Sequence, residues 1–308
     1  MMKIPLAIIQ LIFIILFSPF LSGLITKIKN TLRMRKGQGV FQPYLNLRKL
    51  FLKREVISET ASWVFGVAPF VVMASVLTAA LLIPMFIGQS PLGGAGDFFV
   101  LIFVLALGRF FLALAALDAG SSFTGMGSSR EMFISSLAEP AVCLVIFSVS
   151  LQFGSTGIAA SFGMHPVPVS LLVAGIALFM VIIAETSRIP VDNQETHLEL
   201  TMVHEAMILE YSGKRLALIE WAAYIKQMLW FFVIAQLIFP IASFSCCNNF
   251  SGLISWGMWY LARIMIIVIA VAIVEVSLAK MRLFRVADFL GFGFVLAVIS
   301  VICAILRI

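Results

Sequence analysis

Apolar residues run through this chain in long unbroken blocks, with neither the two-residue alternation of half-buried strands nor the narrow stripe of a surface helix. Eight blocks stand out, at 4–25, 63–87, 98–117, 133–153, 169–184, 221–244, 253–276 and 289–306. A helix needs about 20 apolar residues to cross the hydrocarbon layer, and only helices and closed barrels satisfy their backbones there. Continuous blocks exclude barrel strands, which alternate. The pattern predicts an all-α, polytopic membrane protein of about eight transmembrane helices, forming one integral membrane domain over 1–308. The fifth block is the shortest and is expected to end near Glu185, in the headgroup layer. Pro19, Pro69, Pro84 and Pro140 fall within or at the ends of blocks, where each removes a backbone donor and favours a kink. The first block is too long for a typical signal-peptide core, lacks a small-residue cleavage site and is followed by Lys27 and Lys29, so it is expected to be retained.

Polar residues gather in three intervals, 27–62, 118–132 and 185–220. In the first, Leu45, Leu47, Leu50, Phe51 and Leu52 interleave with Arg48, Lys49, Lys53 and Arg54, which predicts a basic amphipathic helix lying in the membrane interface. Gly37, Gly39 and Pro43 ahead of it predict a turn. Anchoring to anionic lipid explains such a helix at roughly 1 kcal/mol per base; holding a partner is the added role expected of it, with Arg35 and Lys36 beside it.

Composition agrees with the pattern: 62% of residues are hydrophobic and 12% charged, and the mean hydropathy is +1.10. The net charge of +6 reflects topology. Sixteen of the 21 bases lie in the loops after the first, third, fifth and seventh blocks, whereas Lys3 and Arg307 lie on the other side. The positive-inside rule then puts the odd loops in the cytoplasm and both termini outside. No basic segment interleaves aromatics as a nucleic-acid site would, so no nucleic-acid partner is expected. Cys143, Cys246, Cys247 and Cys303 form no CxxC pair and offer no usual cluster-binding spacing.

The third interval changes the picture most. Seven of the chain's 15 acids, Glu185, Asp192, Glu195, Glu199, Glu205, Glu210 and Glu220, fall within 36 residues. Membrane-edge carboxylates are costly, so such a group reads as a proton pathway, a ligand site or a docking surface rather than as a solvated face. Glu195 and Glu199 are four apart and would share a helix face. His197 and His204 are too far apart along a helix to share an ion, and no metal site is expected. Arg109, Asp118, Glu139, Lys226, Arg263 and Glu275 lie within or at the ends of blocks, where each should find a partner or water. Pairing between spans is expected of Arg109 and Arg263; for Glu139, Glu220, Lys226 and Glu275 a proton-relay role stands beside pairing.

These residues also carry a resemblance. The stretch ETSRIPVD (Glu185, Arg188, Pro190 and Asp192) resembles the ExxRxPxD signature of the quinone-chamber subunit of respiratory complex I, NADH dehydrogenase subunit 1. The run EYSG (Glu210, Tyr211, Gly213), the segment SREM with Arg130 and Glu131 followed by Glu139–Pro140, and Gln42–Pro43 with Lys49–Leu50 are similar to further elements of that family. Between Asp192 and Glu210 the sequence looks more like the corresponding subunit of group 4 membrane-bound NiFe-hydrogenases of the formate hydrogenlyase and hydrogenase-4 type. Gln38 and Asn46 stand where the family usually has Pro and Asp.

The resemblance implies a non-catalytic membrane anchor and coupling subunit in a bacterial or archaeal cytoplasmic membrane. A soluble hydrogenase-like large subunit and an iron–sulfur subunit would dock on the cytoplasmic loops, and antiporter-like subunits would sit beside it in the bilayer. No cofactor would be bound directly; iron–sulfur clusters and a NiFe centre would belong to partners. Glu139, Glu185, Asp192, Glu195, Glu199, Glu205, Glu210, Glu220, Lys226 and Glu275 would link redox chemistry to proton or sodium movement. Arg35, Lys36, Gln42, Arg130, Glu131, Arg188, Pro190, Tyr211 and Gly213 would serve docking or structure. The alternatives are a complex I-type subunit with bound quinone and a stand-alone carrier or scaffold.

Overall fold

A computed structural model describes residues 3–58, 60–85, 91–161, 168–192, 202–239 and 250–307. Ten α-helices are present among these residues, and no strand: α1 (Lys3–Leu32), α2 (Gln42–Leu52), α3 (Trp63–Leu82), α4 (Phe98–Asp118), α5 (Ser122–Phe153), α6 (Val169–Glu185), α7 (His204–Met207), α8 (Gly213–Ile238), α9 (Phe250–Ser277) and α10 (Leu283–Leu306). Seven of them, α1, α3, α4, α5, α8, α9 and α10, are long and apolar enough to cross a membrane, and α6 adds a shorter apolar helix of 17 residues. The chain is an all-α polytopic membrane protein. Its outward surface is apolar along most helices, with Ile8, Phe70, Phe103, Phe110 and Phe292 more than half exposed, as a lipid-facing bundle requires.

Local sequence explains where the helices begin. Ser62 caps α3 through a bond accepted from the Val64 amide, and Asp97 caps α4 by accepting from Phe99, which satisfies donors that have no partner within the helix. Asp118, at the end of α4, accepts from the Ser62 amide, the Ser62 hydroxyl and the Phe65 amide. It thereby ties the end of one helix to the start of another. Gly154 closes α5 with a left-handed conformation, φ 65°, the usual stop for a helix.

Two helices start earlier than the apolar blocks suggest. Residues 118–132 read as a loop, yet α5 begins at Ser122. Small buried residues, Thr124, Gly127 and Ser128, let this polar first part pack against α7; a Cβ on Gly127 would come within 2.7 Å of the Ala206 Cβ. Likewise α8 begins at Gly213, inside the acidic interval. Gly213 has φ 55°, and a Cβ there would meet the Arg54 carbonyl oxygen at 2.9 Å. Only glycine combines that backbone with so close an approach.

The expected amphipathic helix is α2. It buries Leu47, packs along α8 and sets Phe51 edge-on against Trp221 at 5.9 Å. The Tyr44 hydroxyl donates to the Leu16 carbonyl. Arg48 and Lys49 stay exposed, together with Leu45 and Leu52, so basic and apolar side chains both face outward, as at a lipid headgroup layer. In the bundle, α3 packs along α4, α10 lies against α5 and α6, and α8 touches α1, α2, α3 and α6. This arrangement leaves a polar cavity among α1, α3, α4, α5, α6, α7 and α8.

Candidate functional site

The cavity is floored by a buried ion cluster. Glu185, the last residue of α6, is 3% exposed in its side chain and lies between two cations. Arg109 of α4 donates Nη1–H to its Oε1 at 2.7 Å, and Lys226 of α8 places Nζ 2.9 Å from its Oε2. Arg109 also donates to the Ser135 hydroxyl at 2.6 Å and lies 3.5 Å from Glu139 Oε1 on α5. Glu139 is 43% exposed in its side chain and opens sideways into an apolar groove lined by Phe103, Leu107, Phe110 and Met132. The row Lys226–Glu185–Arg109–Glu139 therefore leads from the cavity to the lateral surface of the bundle.

A second cluster follows three residues on. Arg188 donates Nη1–H to Glu275 Oε1 at 2.8 Å and Nη2–H to Gln227 Oε1 at 2.9 Å. Lys29 approaches Glu275 Oε2 at 3.4 Å, and Arg33 donates to the Glu275 carbonyl. Glu275 of α9 thus joins α1, the turn after α6 and, through Arg188, α8. Asp192 makes a third station, pairing with Lys280 at 2.8 Å and accepting from the Val203 and His204 amides. Between these, Pro190 is buried after a cis peptide bond, and its carbonyl accepts from Met281. The signature run thus places its three charges, Glu185, Arg188 and Asp192, in three separate buried ion pairs.

The other sequence-predicted positions distribute as follows. Glu205, Glu210 and Glu220 are partly exposed. Glu195 and Glu199 lie outside the described residues, as do His197, Cys246 and Cys247. Tyr211 is buried, stacks on Phe65 at 4.0 Å and donates to the Phe65 carbonyl; burial raises its phenol above the ordinary value. Arg130 donates to the Met202 carbonyl, which ties α5 to the segment before α7. Arg35 and Lys36 are exposed, whereas Gln42 bonds Asn46 along α2.

Burial divides the second group. Arg188, Pro190, Tyr211, Gly213 and Glu131 are turned into the bundle, whereas Arg35 and Lys36 face outward. Arg109 has the interspan pairing expected of it. Arg263 does not pair with a carboxylate among the described residues. It donates to the Ala235 and Phe239 carbonyls at the end of α8 and lies 5.9 Å from the centre of the Tyr260 ring, using helix-end acceptors and an aromatic face instead.

Sequence reasoning missed the inward position of His204, which lines the cavity with Tyr224 and Gln227. Burial pushes its imidazole below the ordinary 6.5, with Glu205 pulling the other way. The folded value then lies below the unfolded one. Between the two the unfolded chain binds more protons, so this contribution is present above about pH 6.5 and is lost as pH falls below it. His204→Gln is expected to flatten the acid side of a stability-versus-pH curve in detergent. An unchanged acid slope would contradict this assignment. No group of three or more metal-ligating side chains occurs among the described residues.

Comparison with known proteins places the chain in a family. Residues 4–306 match the NADH dehydrogenase family. The chain belongs to that family. It is 32% identical to hydrogenase-4 component C of Escherichia coli (strain K12) over 96% of this chain and 93% of that protein. It is 30% identical to formate hydrogenlyase subunit 4 of the same organism, over 98% and 100%. NADH-quinone oxidoreductase subunit 8 of Rhodothermus marinus is 26% identical over 65% of this chain and 61% of its own length. The fold is shared with a chain from the membrane-bound sulfane sulfur reductase, an archaeal respiratory membrane complex, at TM-score 0.78, 18% identity and coverage of 99% and 100%. Within the NADH dehydrogenase family, both E. coli relatives match nearly the whole chain, and the quinone oxidoreductase subunit about two thirds of it.

Proposed function

We propose that this chain is the membrane anchor and coupling subunit of a hydrogenase-type redox complex, a membrane subunit of the respiratory kind. The observation that carries the reading is the row Lys226–Glu185–Arg109–Glu139, in which buried carboxylates and bases alternate from the cavity to the side of the bundle. Charges in such a setting interact over longer distances than in water, at about 4 kcal/mol for 4 Å at an effective dielectric of 20. A change of charge at the cavity is therefore felt at Glu139. Redox events in a soluble arm docked on the loops would alter the cavity, and the row would pass that change to neighbouring membrane subunits as proton, or sodium, uptake and release. Near full-length similarity to hydrogenase-4 component C and formate hydrogenlyase subunit 4 supports partners of the hydrogenase type, with iron–sulfur clusters and a NiFe centre in those partners. The basic loops support a cytoplasmic site for that arm and external termini, in a bacterial or archaeal cytoplasmic membrane.

The cavity itself supports a second reading. It is lined by the polar His204, Tyr224 and Gln227 among the apolar Val72, Val76 and Leu112, the mix expected of a ligand site. In a complex I-type subunit a quinone headgroup would occupy it once the space open to the centres of water molecules, about 80 Å³, had widened to admit one. Gentle extraction of the tagged chain and mass spectrometry of what co-purifies separates the two. Hydrogenase-like large and iron–sulfur subunits support the first reading; NADH-oxidising subunits with bound quinone support the second. A chain that purifies alone under mild conditions would contradict both.

A further inference from the structure

One buried acid has no partner in the clusters above. Glu131 of α5 is 6% exposed and lines the same cavity as Glu185, Arg109 and Lys226. Among the described residues it forms no hydrogen bond and no ion pair within 4 Å. Its field is set by Lys226 and Arg109, then by Glu185 and Asp192. From the packed elements the charged and titratable groups around it are Arg109 on α4, Glu185 and Arg188 at the end of α6, Asp192, His204 on α7, and Tyr224 and Lys226 on α8.

The local charge count is closed without it. Arg109 and Lys226 supply two positive charges, and Glu185 and Glu139 two negative ones, within 3.5 Å. A buried carboxylate without a partner is held neutral rather than charged. Of the two cations Lys226 is the more exposed, its side chain at 19% against 8% for Arg109, and its ammonium sits on a flexible four-carbon stem. Glu185 would not be stranded by losing it, because Arg109 stays bonded at 2.7 Å. About 80 Å³ of the cavity is open to the centres of water molecules, room for several at about 10–15 Å³ each.

We propose that Glu131 is the proton-exchanging carboxyl of the cavity and that Lys226 is a cation it shares with Glu185. In one state Glu131 carries a proton and Lys226 pairs with Glu185. In the other, the Glu131 proton has left for a cavity water, and the new carboxylate has drawn the Lys226 ammonium away from Glu185, which keeps Arg109. One O–H bond breaks at Glu131 and one forms on the water, Lys226 exchanges its ion pair with Glu185 for one with Glu131, one negative charge appears in the cluster, and no other covalent bond changes. The return reverses each step. The assignment deepens the coupling reading and rests on it for its physiological meaning, since it supplies the titrating group at the inner end of the row.

The test is an infrared pH titration of the full chain in lipid nanodiscs, following the carbonyl band of a protonated carboxylic acid. Glu131→Gln is expected to abolish one such band, and Glu131→Asp to retain it at a shifted frequency. Lys226→Gln removes the cation that favours the ionised form, so the band should persist to higher pH by about one unit or more. A band unchanged in Glu131→Gln, or a wild-type titration in Lys226→Gln, would overturn the proposal. Should Glu131→Gln fail to fold, Glu131→Asp and Lys226→Gln keep the carboxyl and decide the matter between them. The titration needs no partner subunit, so its failure would overturn the Glu131 assignment while leaving the coupling reading to its own test.

Discussion

Glu185→Ala is expected to destabilise the chain by about 3–5 kcal/mol, the usual cost of removing one member of a buried ion pair. The substitution leaves Arg109 and Lys226 facing each other across an emptied site, with Glu139 at 3.5 Å from Arg109 and Glu131 on the cavity wall as the acids that remain nearby. The size of the effect comes from the cations left behind, not from the strength of the pair. Replacing Glu185, Arg109 and Lys226 together with apolar residues of similar volume should therefore cost much less than Glu185→Ala alone. Thermal unfolding in detergent checks both. A single substitution no worse than the triple one would show that the cations reach water and need no partner.

Glu275→Ala is expected to rival it, again at about 3–5 kcal/mol, for a different structural reason. Glu275 accepts from Arg188 at 2.8 Å and lies 3.4 Å from Lys29, so its loss unties α9 from α1 and from the turn after α6. Arg188 keeps Gln227 at 2.9 Å, which softens the loss on that side. Glu275→Gln preserves volume and an acceptor for Arg188 and should cost less than half as much. Limited proteolysis between α9 and α10, with the unfolding midpoint, reads the result. Equal stability of Glu275→Ala and wild type would mean that these helices are held by apolar packing alone.

The helices were legible because each lipid-facing element needs its own long apolar run, and no distant residue alters that requirement. The amphipathic α2 was legible for the same reason: its bases and leucines alternate locally. The charged clusters were legible as a set but not as pairs. Arg109 meets Glu185 across 76 positions, Arg188 meets Glu275 across 87, and Arg33 reaches the Glu275 carbonyl across 242. Lys29 and Lys280 counted in the sequence as loop bases, yet they pair with Glu275 and Asp192. Nothing local says so, because pairing is decided by which helices pack together.

Glu131 is the instructive exception. Its neighbours in the run SREM suggested a loop position available for docking, but α5 is already helical from Ser122. In phase with Glu131 at helical spacing stand Gly127, Ser128, Ser135, Ala138 and Val142, all buried. That stripe of small residues was visible in the sequence and pointed the carboxyl inward. Glu139 falls on the same helix two turns on, at the edge of the stripe, which is why it reaches both Arg109 and the lateral surface.

In the proposed coupling the carboxylate row carries the redox signal outward, and Glu139 is its outermost member. The direct measurement is ion movement across sealed vesicles containing the purified complex, wild type against Glu139→Gln, with redox turnover followed in the same sample. Ion movement is expected to fall at least about tenfold, as for other positioned proton-transfer groups, while turnover in the presence of an uncoupler persists. Wild-type ion movement in Glu139→Gln would contradict it.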